Sequence, residues 1–184
     1  MGERKKKMSN IEKWDLYFLR IGREVATNSK CLSRKIGAVL VKDKSVISTG
    51  YNGAPRGVLN CGERPMSFFK EVDKQSVELK DLKEYPKICP RRVLNYQSGQ
   101  GLHLCQAGHA ERNALIQAGR IGVSTTGSTL YCFCGQVCKD CAIEIINAGV
   151  VRLVFLMGKA YDNYSDTILE DSGIEITTYA EEQL

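Results

Sequence analysis

The chemistry-bearing residues of this chain stand in two short segments. Of 184 residues only two are histidine, and one of them, His109, precedes Glu111 in the segment HAE. Further along, the segment CKDC holds Cys138 and Cys141. One imidazole nitrogen and two thiolates supply three zinc ligands and leave a fourth position open to water. Zinc makes hydroxide available near neutral pH, and a neighbouring carboxylate can carry protons. The pattern therefore predicts a catalytic zinc on His109, Cys138 and Cys141, with Glu111 as the proton carrier.

The elements that must position these residues alternate between strand and helix. HAERNALIQAGR and CKDCAIEIINAG each predict a helix that begins beside its ligands, where the helix dipole favours thiolates. KIGAVLV and SVISTGY predict a hairpin, and STLYCF, VRLVFLM and IEITTY predict three further strands. IEKWDLYFLRIGREVATNS and DNYSDTILEDSG predict two more helices. This order indicates one α/β domain over residues 1–184, a sandwich with a mixed sheet between helices.

Apolar runs, cysteine number and net charge indicate which classes of protein this chain fits. No run approaches the ~18 apolar residues of a membrane span. No apolar stretch follows the basic segment MGERKKKMSN, which predicts a cytoplasmic protein without a signal peptide. Eight cysteines in such a chain favour metal ligation or catalysis over disulfides. A net charge of +5 suits phosphorylated substrates but does not indicate nucleic-acid binding.

Residues 61–105 carry few periodic signals, and SFFKEVDKQSVELKDLKEY within them fits one helix or two. A connection of this length in a compact domain is usually functional or fastened. A bound metal would offset the entropy that the segment loses on ordering. We therefore predict an insert at about 61–105 that a second zinc fastens.

Three segments resemble the deoxycytidylate (dCMP) deaminase family of the cytidine deaminase superfamily. They are CLSRKIGAVLVKDKSVISTGYNGAPRG, HAERNAL and CKDCAIEIINAGVVRLVF, in the family's order. The resemblance implies a three-layer α/β/α sandwich with a mixed five-stranded sheet. It implies a zinc-dependent hydrolase that converts dCMP to dUMP, a homohexamer, and dCTP and dTTP as effectors. It gives His109, Cys138, Cys141 and Glu111 the roles predicted above, although Val137 replaces the family's proline.

The resemblance also implies further site residues. Asn52 would contact the sugar, and Ala110 and either Tyr161 or Tyr164 would line the nucleotide pocket. A structural zinc would be held by Cys31, Cys61 and His103, with Cys89 or Cys105 as a further ligand. Cys132 and Cys134 are extra cysteines, which we interpret as small apolar residues of a strand. Candidates for the phosphate contact are the cations Arg34, Lys35, Arg56, Arg91, Arg92 and Arg112.

Two alternatives to a dCMP deaminase remain at this point. The first keeps the chemistry but changes the substrate to dCTP, deoxycytidine or a base in nucleic acid. The modest charge argues against nucleic acid, which usually requires a basic groove lined with aromatic residues. The second is a catalytically silent, zinc-stapled nucleotide-binding module, in which Glu111 would have no purpose.

Overall fold

The computed structural model of the chain describes residues 9–73, 87–158 and 161–184. Five strands form one sheet in the order β2–β1–β3–β4–β5. Strand β1 is antiparallel to β2 and β3, whereas β3, β4 and β5 are parallel. The strands are β1 (Gly37–Lys42), β2 (Ser45–Tyr51), β3 (Thr129–Phe133), β4 (Arg152–Leu156) and β5 (Glu175–Tyr179). The helices are α1 (Asn10–Ala26), α2 (Met66–Asp73), α3 (Pro90–Val93), α4 (Ala110–Arg120), α5 (Lys139–Asn147) and α6 (Ser165–Ser172). The predicted α/β fold with a mixed five-stranded sheet is confirmed.

The opening hairpin turns at Asp43 and Lys44, whose φ angles are 50° and 57°. Positive φ at both central residues is typical of a type I′ turn, whose twist matches that of the two strands. The hairpin makes β2 the edge of the sheet and places β1 beside β3. The parallel half of the sheet is then built by the α5 and α6 crossovers.

Alternate residues of the strands face two different helical layers. Leu40, Leu130 and Leu153 belong to a cluster with residues of α4, α5 and α6. Val39 and Val154 belong to a cluster with α1 on the other face. Period-two alternation in the strands therefore produces the predicted three-layer sandwich.

The N-terminal helix is fixed at its start and along its buried face. Ser9 and Glu12 form a capping box, in which each side chain accepts a hydrogen bond from the other residue's backbone. Phe18 and Leu19 are buried against the sheet. A capping box satisfies N–H groups that the first turn leaves unpaired, so this start is encoded locally.

The predicted insert has a small core of its own. Met66, Phe69, Leu94 and Leu104 pack together, separate from the two clusters on the sheet. Residues 74–86, which belong to this insert and to the predicted one or two helices, lie outside the described residues. Of the helices that the structure describes, none is long and apolar enough to cross a membrane.

Candidate metal centre and nucleotide pocket

Two helix starts bring the three predicted zinc ligands together. His109 is the N-cap of α4 and Cys138 is the N-cap of α5, while Cys141 lies in the first turn of α5. Helix α4 can pack directly on β2 because Gly50 has no side chain. A Cβ atom at Gly50 would lie 2.3 Å from the carbonyl oxygen of Ala110. The sequence thus brings α4 close to the sheet by omitting a side chain beneath it.

The distances among the three side chains suit a zinc ion. His109 Nδ1 lies 3.4 Å from Cys138 Sγ and 3.3 Å from Cys141 Sγ. The three atoms all lie within 4.8 Å of one another. Tetrahedral zinc, with bonds of about 2.3 Å to sulfur and about 2.0 Å to nitrogen, separates such atoms by about 3.5 Å. The predicted ligand set therefore forms a candidate zinc site with this geometry.

Hydrogen bonding within the cluster favours a thiolate. A hydrogen bond from Cys141 and another from His109 lower the pKa of Cys138 to about 3, against the effect of burial. The same contact with Cys138, together with burial, raises the pKa of Cys141. The hydrogen bond to Cys138 also raises the pKa of His109. One negative charge is thus already stabilised among these ligands, and thiolates are the form that binds metal.

Glu111 is buried beside this cluster with an unused oxygen. Its side chain is 4% exposed, and Oε2 has no hydrogen-bond partner among the residues that the structure describes. Burial raises the pKa of Glu111. A buried polar atom without a partner usually marks a bound water, an ion or a catalytic role. The orphaned oxygen fits a proton carrier that meets a water molecule at the zinc ligands.

A cavity of ≈ 310 Å³ opens onto these residues. Its volume is in the range of small-molecule sites. His109, Cys138 and Glu111 line it, together with Tyr161 and Asn52. The cavity therefore joins the candidate metal centre to two of the residues that the resemblance assigned to the nucleotide.

The other predicted substrate contacts differ in placement. Asn52 Oδ1 accepts from the Ile36 N–H, and Asn52 Nδ2 donates to the Arg34 carbonyl, both at 2.8 Å. Asn52 therefore holds the loop before β1 as well as facing the cavity. Ala110 is fully buried and is not among the described residues that line the cavity, and neither is Tyr164.

The six candidate phosphate contacts fall into two groups. Arg34, Arg91 and Arg92 line the cavity. Within the cavity, Arg91 and Arg92 also donate to the backbone carbonyls of Gln100 and Tyr96. Arg56 and Arg112 are not among the described lining residues: the Arg56 side chain donates to Gln117, and Arg112 pairs with Glu144. Lys35 is not among the described lining residues. Three of the six cations are thus placed where a phosphate on a bound nucleotide could reach them.

Val137, where the family has proline, is held by tertiary contacts. Its side chain is 1% exposed, and its carbonyl accepts a hydrogen bond from Ser165 Oγ at 2.6 Å. The next backbone N–H after Cys138, that of Lys139, donates to Asp162 Oδ2 at 3.0 Å. Residues near the start of α6 therefore support the turn that a proline would stiffen. No local sequence pattern indicates this support, because it comes from residues far along the chain.

The candidate second metal group gathers four cysteines. Cys31, Cys61, Cys89 and Cys105 line one small cavity of ≈ 30 Å³. Burial, followed by the negative charges that the other three thiols can carry, raises the pKa of Cys61 to about 11. In the described structure no three of these four sulfur atoms lie within 4.8 Å of one another, as the catalytic donors do, but all four side chains line the same cavity. Both alternative ligands, Cys89 and Cys105, are therefore brought to the same place.

His103 lies apart from that cavity. Its Nε2 is 2.7 Å from Asp73 Oδ1, and Tyr96 donates to the same oxygen at 2.9 Å. Among the described residues that line the four-cysteine cavity, His103 is absent. Its observed partner is a carboxylate at the end of α2, so it ties the insert together through Asp73.

Comparison with known proteins identifies the family of this chain. The sequence profile described as "Cytidine and deoxycytidylate deaminase zinc-binding region" matches residues 12–157. The chain belongs to this family, a class of zinc-binding deaminases.

Individual relatives with similar sequences are named deoxycytidylate deaminases. The chain is 30% identical over 182 residues to the deoxycytidylate deaminase of Saccharomyces cerevisiae, covering 98% of this chain and 50% of that protein. It is 32% identical over 172 residues to the deoxycytidylate deaminase of Enterobacteria phage T4, covering 86% of each. The chain therefore spans about half the length of the yeast relative and most of the phage one.

Solved structures show the same fold. A dCMP deaminase from the cyanophage S-TIM5, solved in complex with dCMP and dUMP, aligns with a TM-score of 0.62 at 23% identity. The alignment covers 94% of this chain and all of the phage chain. It confirms the cytidine deaminase-like fold that the motifs implied.

Proposed function

We propose that this protein is a zinc-dependent hydrolase that deaminates dCMP to dUMP. The observation that carries the proposal is the convergence of His109, Cys138 and Cys141 beside the orphaned oxygen of Glu111, at the wall of one cavity. Relatives named deoxycytidylate deaminase cover most of the chain. His109, Cys138 and Cys141 would hold the ion, which supplies Lewis acidity that lowers the pKa of a water molecule.

Glu111 has the placement that proton transfer requires. Its carboxylate takes a proton from the attacking water and delivers it to N3 of the cytosine ring. It then takes the proton of the hydroxyl group added at C4 and delivers it to the amine, which leaves as ammonia while the C4 carbonyl forms. Burial raises its pKa toward the working pH, which lets the same group both accept and release protons. The cavity wall keeps bulk water from competing for those protons.

The cations of the cavity favour a nucleotide over a nucleoside. Arg34, Arg91 and Arg92 share the cavity with Glu111, and guanidinium groups bind phosphate through paired hydrogen bonds. Free deoxycytidine offers these side chains no anion. A cavity of ≈ 310 Å³ also suits a single nucleotide, which we therefore favour over a base within nucleic acid.

The test is ammonia release from dCMP, CMP, deoxycytidine and dCTP, side by side, by the zinc-loaded protein. We expect turnover mainly on dCMP. Preference for deoxycytidine would remove the role of the arginines, and preference for dCTP would change the substrate within the same chemistry. Zinc binding without turnover on any of the four, with or without dCTP as activator, would favour the silent binding module.

We further propose a structural zinc on Cys31, Cys61, Cys89 and Cys105. Support comes from the small cavity that the four side chains share, and four thiolates form a closed zinc site. His103 is left out of this ligand set because it pairs with Asp73. Zinc per chain should fall by one in Cys61→Ser and by one in His109→Ala. Equal zinc content in wild type and Cys61→Ser would contradict the second ion.

Assembly, regulation and location complete the proposal. By resemblance to its family the protein would be a cytoplasmic homohexamer in pyrimidine nucleotide biosynthesis, activated or inhibited by dCTP and dTTP. Sedimentation and deaminase assays with each effector test these points. A monomer unaffected by either nucleotide would remove both the hexamer and the regulation and leave the chemistry in place.

A further inference from the structure

A second set of donor atoms lies beside the metal centre. Cys132 Sγ, Cys134 Sγ and a carboxylate oxygen of Glu111 lie within 4.8 Å of one another. The two sulfur atoms are 2.8 Å apart. Cys132 belongs to β3, which ends at Phe133, and the chain bends at Cys134. The bend lets two side chains from alternate positions meet over Glu111.

This cluster is buried but can be reached from the cavity. Cys132 is fully buried, and Glu111 is almost fully buried. Cys134 is only partly buried, and both Cys134 and Glu111 line the nucleotide cavity. Glu111 Oε2 has no hydrogen-bond partner within the described parts of the chain. A small ion in the cavity can therefore reach Cys134 and Glu111 directly, and Cys132 Sγ lies 2.8 Å behind Cys134 Sγ.

We propose that Cys132, Cys134 and Glu111 form an inhibitory site for a thiophilic divalent cation, such as zinc above the amount that the catalytic site needs. Two thiolates and a carboxylate are donors that zinc prefers in proteins. Binding releases the two thiol protons to solvent and forms bonds from the ion to each sulfur and to the carboxylate. Inhibition follows because the ion binds the group that carries protons, a step that rests on the proposed function.

Charge balance allows both cation sites to be filled. In the catalytic set, a neutral imidazole and two thiolates cancel the charge of one zinc ion. In the second set, two thiolates and the Glu111 carboxylate outweigh the charge of a divalent ion. Each cation is therefore compensated by its own ligands, which limits repulsion between the two ions. The packing interpretation of Cys132 is compatible with its burial, but it does not account for the contact between Cys132 Sγ and Cys134 Sγ.

The test compares wild type, Cys132→Val and Cys134→Ser, each first loaded with catalytic zinc and then titrated with zinc chloride. Two readouts are taken: deaminase activity relative to each protein's own value without added zinc, and zinc retained per chain after buffer exchange. Wild type should bind one ion more than either variant and lose most of its activity. The zinc needed for half-inhibition should rise in both variants by at least about 10- to 100-fold, roughly what loss of an outer-shell partner costs a metal site.

Two further variants distinguish the proposed cation site from the catalytic zinc site and from the group of four cysteines. Glu111→Gln should keep the catalytic zinc and lose the additional ion, a result read by zinc count alone. Cys61→Ser, the matched control, removes a thiol from the other cysteine group and should lose the structural ion, but excess zinc should still add one ion to it, as in wild type. Cadmium added to the zinc-loaded proteins should give a thiolate charge-transfer band that is weaker in Cys132→Val and Cys134→Ser than in Cys61→Ser.

Specific outcomes would overturn the inference. They are equal zinc content in wild type, Cys132→Val and Cys134→Ser at the same excess of zinc, or equal sensitivity of their activity. If the wild type lacks deaminase activity altogether, the proposed function fails. The zinc count and the cadmium band still decide the cation site in that case.

Discussion

Asp15 and Glu111 are both buried carboxylates, but they differ in how completely their oxygens are hydrogen-bonded. Asp15 is 1% exposed and Glu111 is 4% exposed. Asp15 accepts two hydrogen bonds from Arg152, at 2.7 and 2.8 Å, and one each from Tyr131 and Tyr179. Glu111 keeps one oxygen without a partner in the described structure. A buried carboxylate whose oxygens all accept hydrogen bonds stabilises the fold. A buried carboxylate with an unpartnered oxygen can still bind a ligand or transfer a proton.

The pKa values of the two carboxylates also move in opposite directions. Burial acts to raise the pKa of Asp15, but its hydrogen bonds and the charge of Arg152 outweigh burial, and the net pKa is lowered. At Glu111 burial is the largest effect and the pKa is raised. Burial therefore has opposite net results, because side-chain donors surround the Asp15 carboxylate, whereas one oxygen of Glu111 has no partner in the described structure.

The largest expected effect comes from Glu111→Gln. This change removes the proton carrier, so kcat on dCMP should fall by about 10²–10⁴-fold. The free energy of unfolding should stay equal or increase, because a neutral amide costs less to bury than a carboxylate. Steady-state kinetics and denaturant unfolding of the zinc-loaded protein check both parts. A variant with unchanged kcat would end the assignment of Glu111.

The second-largest expected effect is a loss of unfolding free energy in Asp15→Asn. Removing one partner of a buried ion pair leaves Arg152 with only Glu175, whose side chain is 67% exposed, and should cost about 3–5 kcal/mol of unfolding free energy. Asp140→Asn is the matched control, since the Asp140 side chain is 61% exposed and should change stability by less than ~0.5 kcal/mol. Equal losses in the two variants would remove the contrast between Asp15 and an ordinary surface carboxylate.

Tyr179→Phe should produce a smaller loss than Asp15→Asn. It deletes the single hydrogen bond from Tyr179 to Asp15 Oδ2, 2.8 Å long, and leaves the pair with Arg152 intact. A hydrogen bond to a charged group contributes about 1.5–3 kcal/mol. Urea unfolding measures this loss. In the double variant Tyr179→Phe/Asp15→Asn, the combined loss should be smaller than the sum of the single losses, because the two residues share one contact.

The smallest effect is a pH dependence that belongs to Asp15. Because its pKa in the folded protein lies below the ordinary value of 3.8, the stability that Asp15 contributes through its ionised form is fully present above that value. This stability is lost as pH falls through the lower folded pKa. The difference in unfolding free energy between wild type and Asp15→Asn should therefore shrink on acidification below about pH 4 and stay constant from about pH 5 to 7. Urea unfolding across this range measures it, and a difference that grows on acidification would mean that folding raises the pKa of Asp15.

Local patterns were sufficient to predict the side chains that form the candidate zinc site. His109 and Glu111 stand in one segment, and Cys138 and Cys141 stand in another, so each half of the site is encoded by a few neighbouring residues. Each segment starts a helix in the structure as the periodicity predicted. The strand order after the hairpin follows from the alternation of strand and helix, which leaves few topologies open.

The second metal group shows where such patterns are not sufficient. The resemblance implied His103 as a ligand and left Cys89 and Cys105 as alternatives, because spacing along the chain does not decide which side chains meet in a long connection. In the structure both cysteines line the cavity with Cys31 and Cys61, and His103 meets Asp73. The interpretation of Cys132 and Cys134 as separate packing residues likewise omits their contact with each other.

The sequence alone determined the class of fold and the candidate zinc ligands, because spacing within single elements sets which residues share a helix start. Only the tertiary structure determined the hydrogen-bond partners of each buried carboxylate and the direction of its pKa shift. The donors to Asp15 come from Tyr131, Arg152 and Tyr179, on three separate strands, while Glu111 faces a cavity. Burial and hydrogen bonding are properties of neighbours brought together by folding, and their effect on a charge cannot be read from its place in the chain.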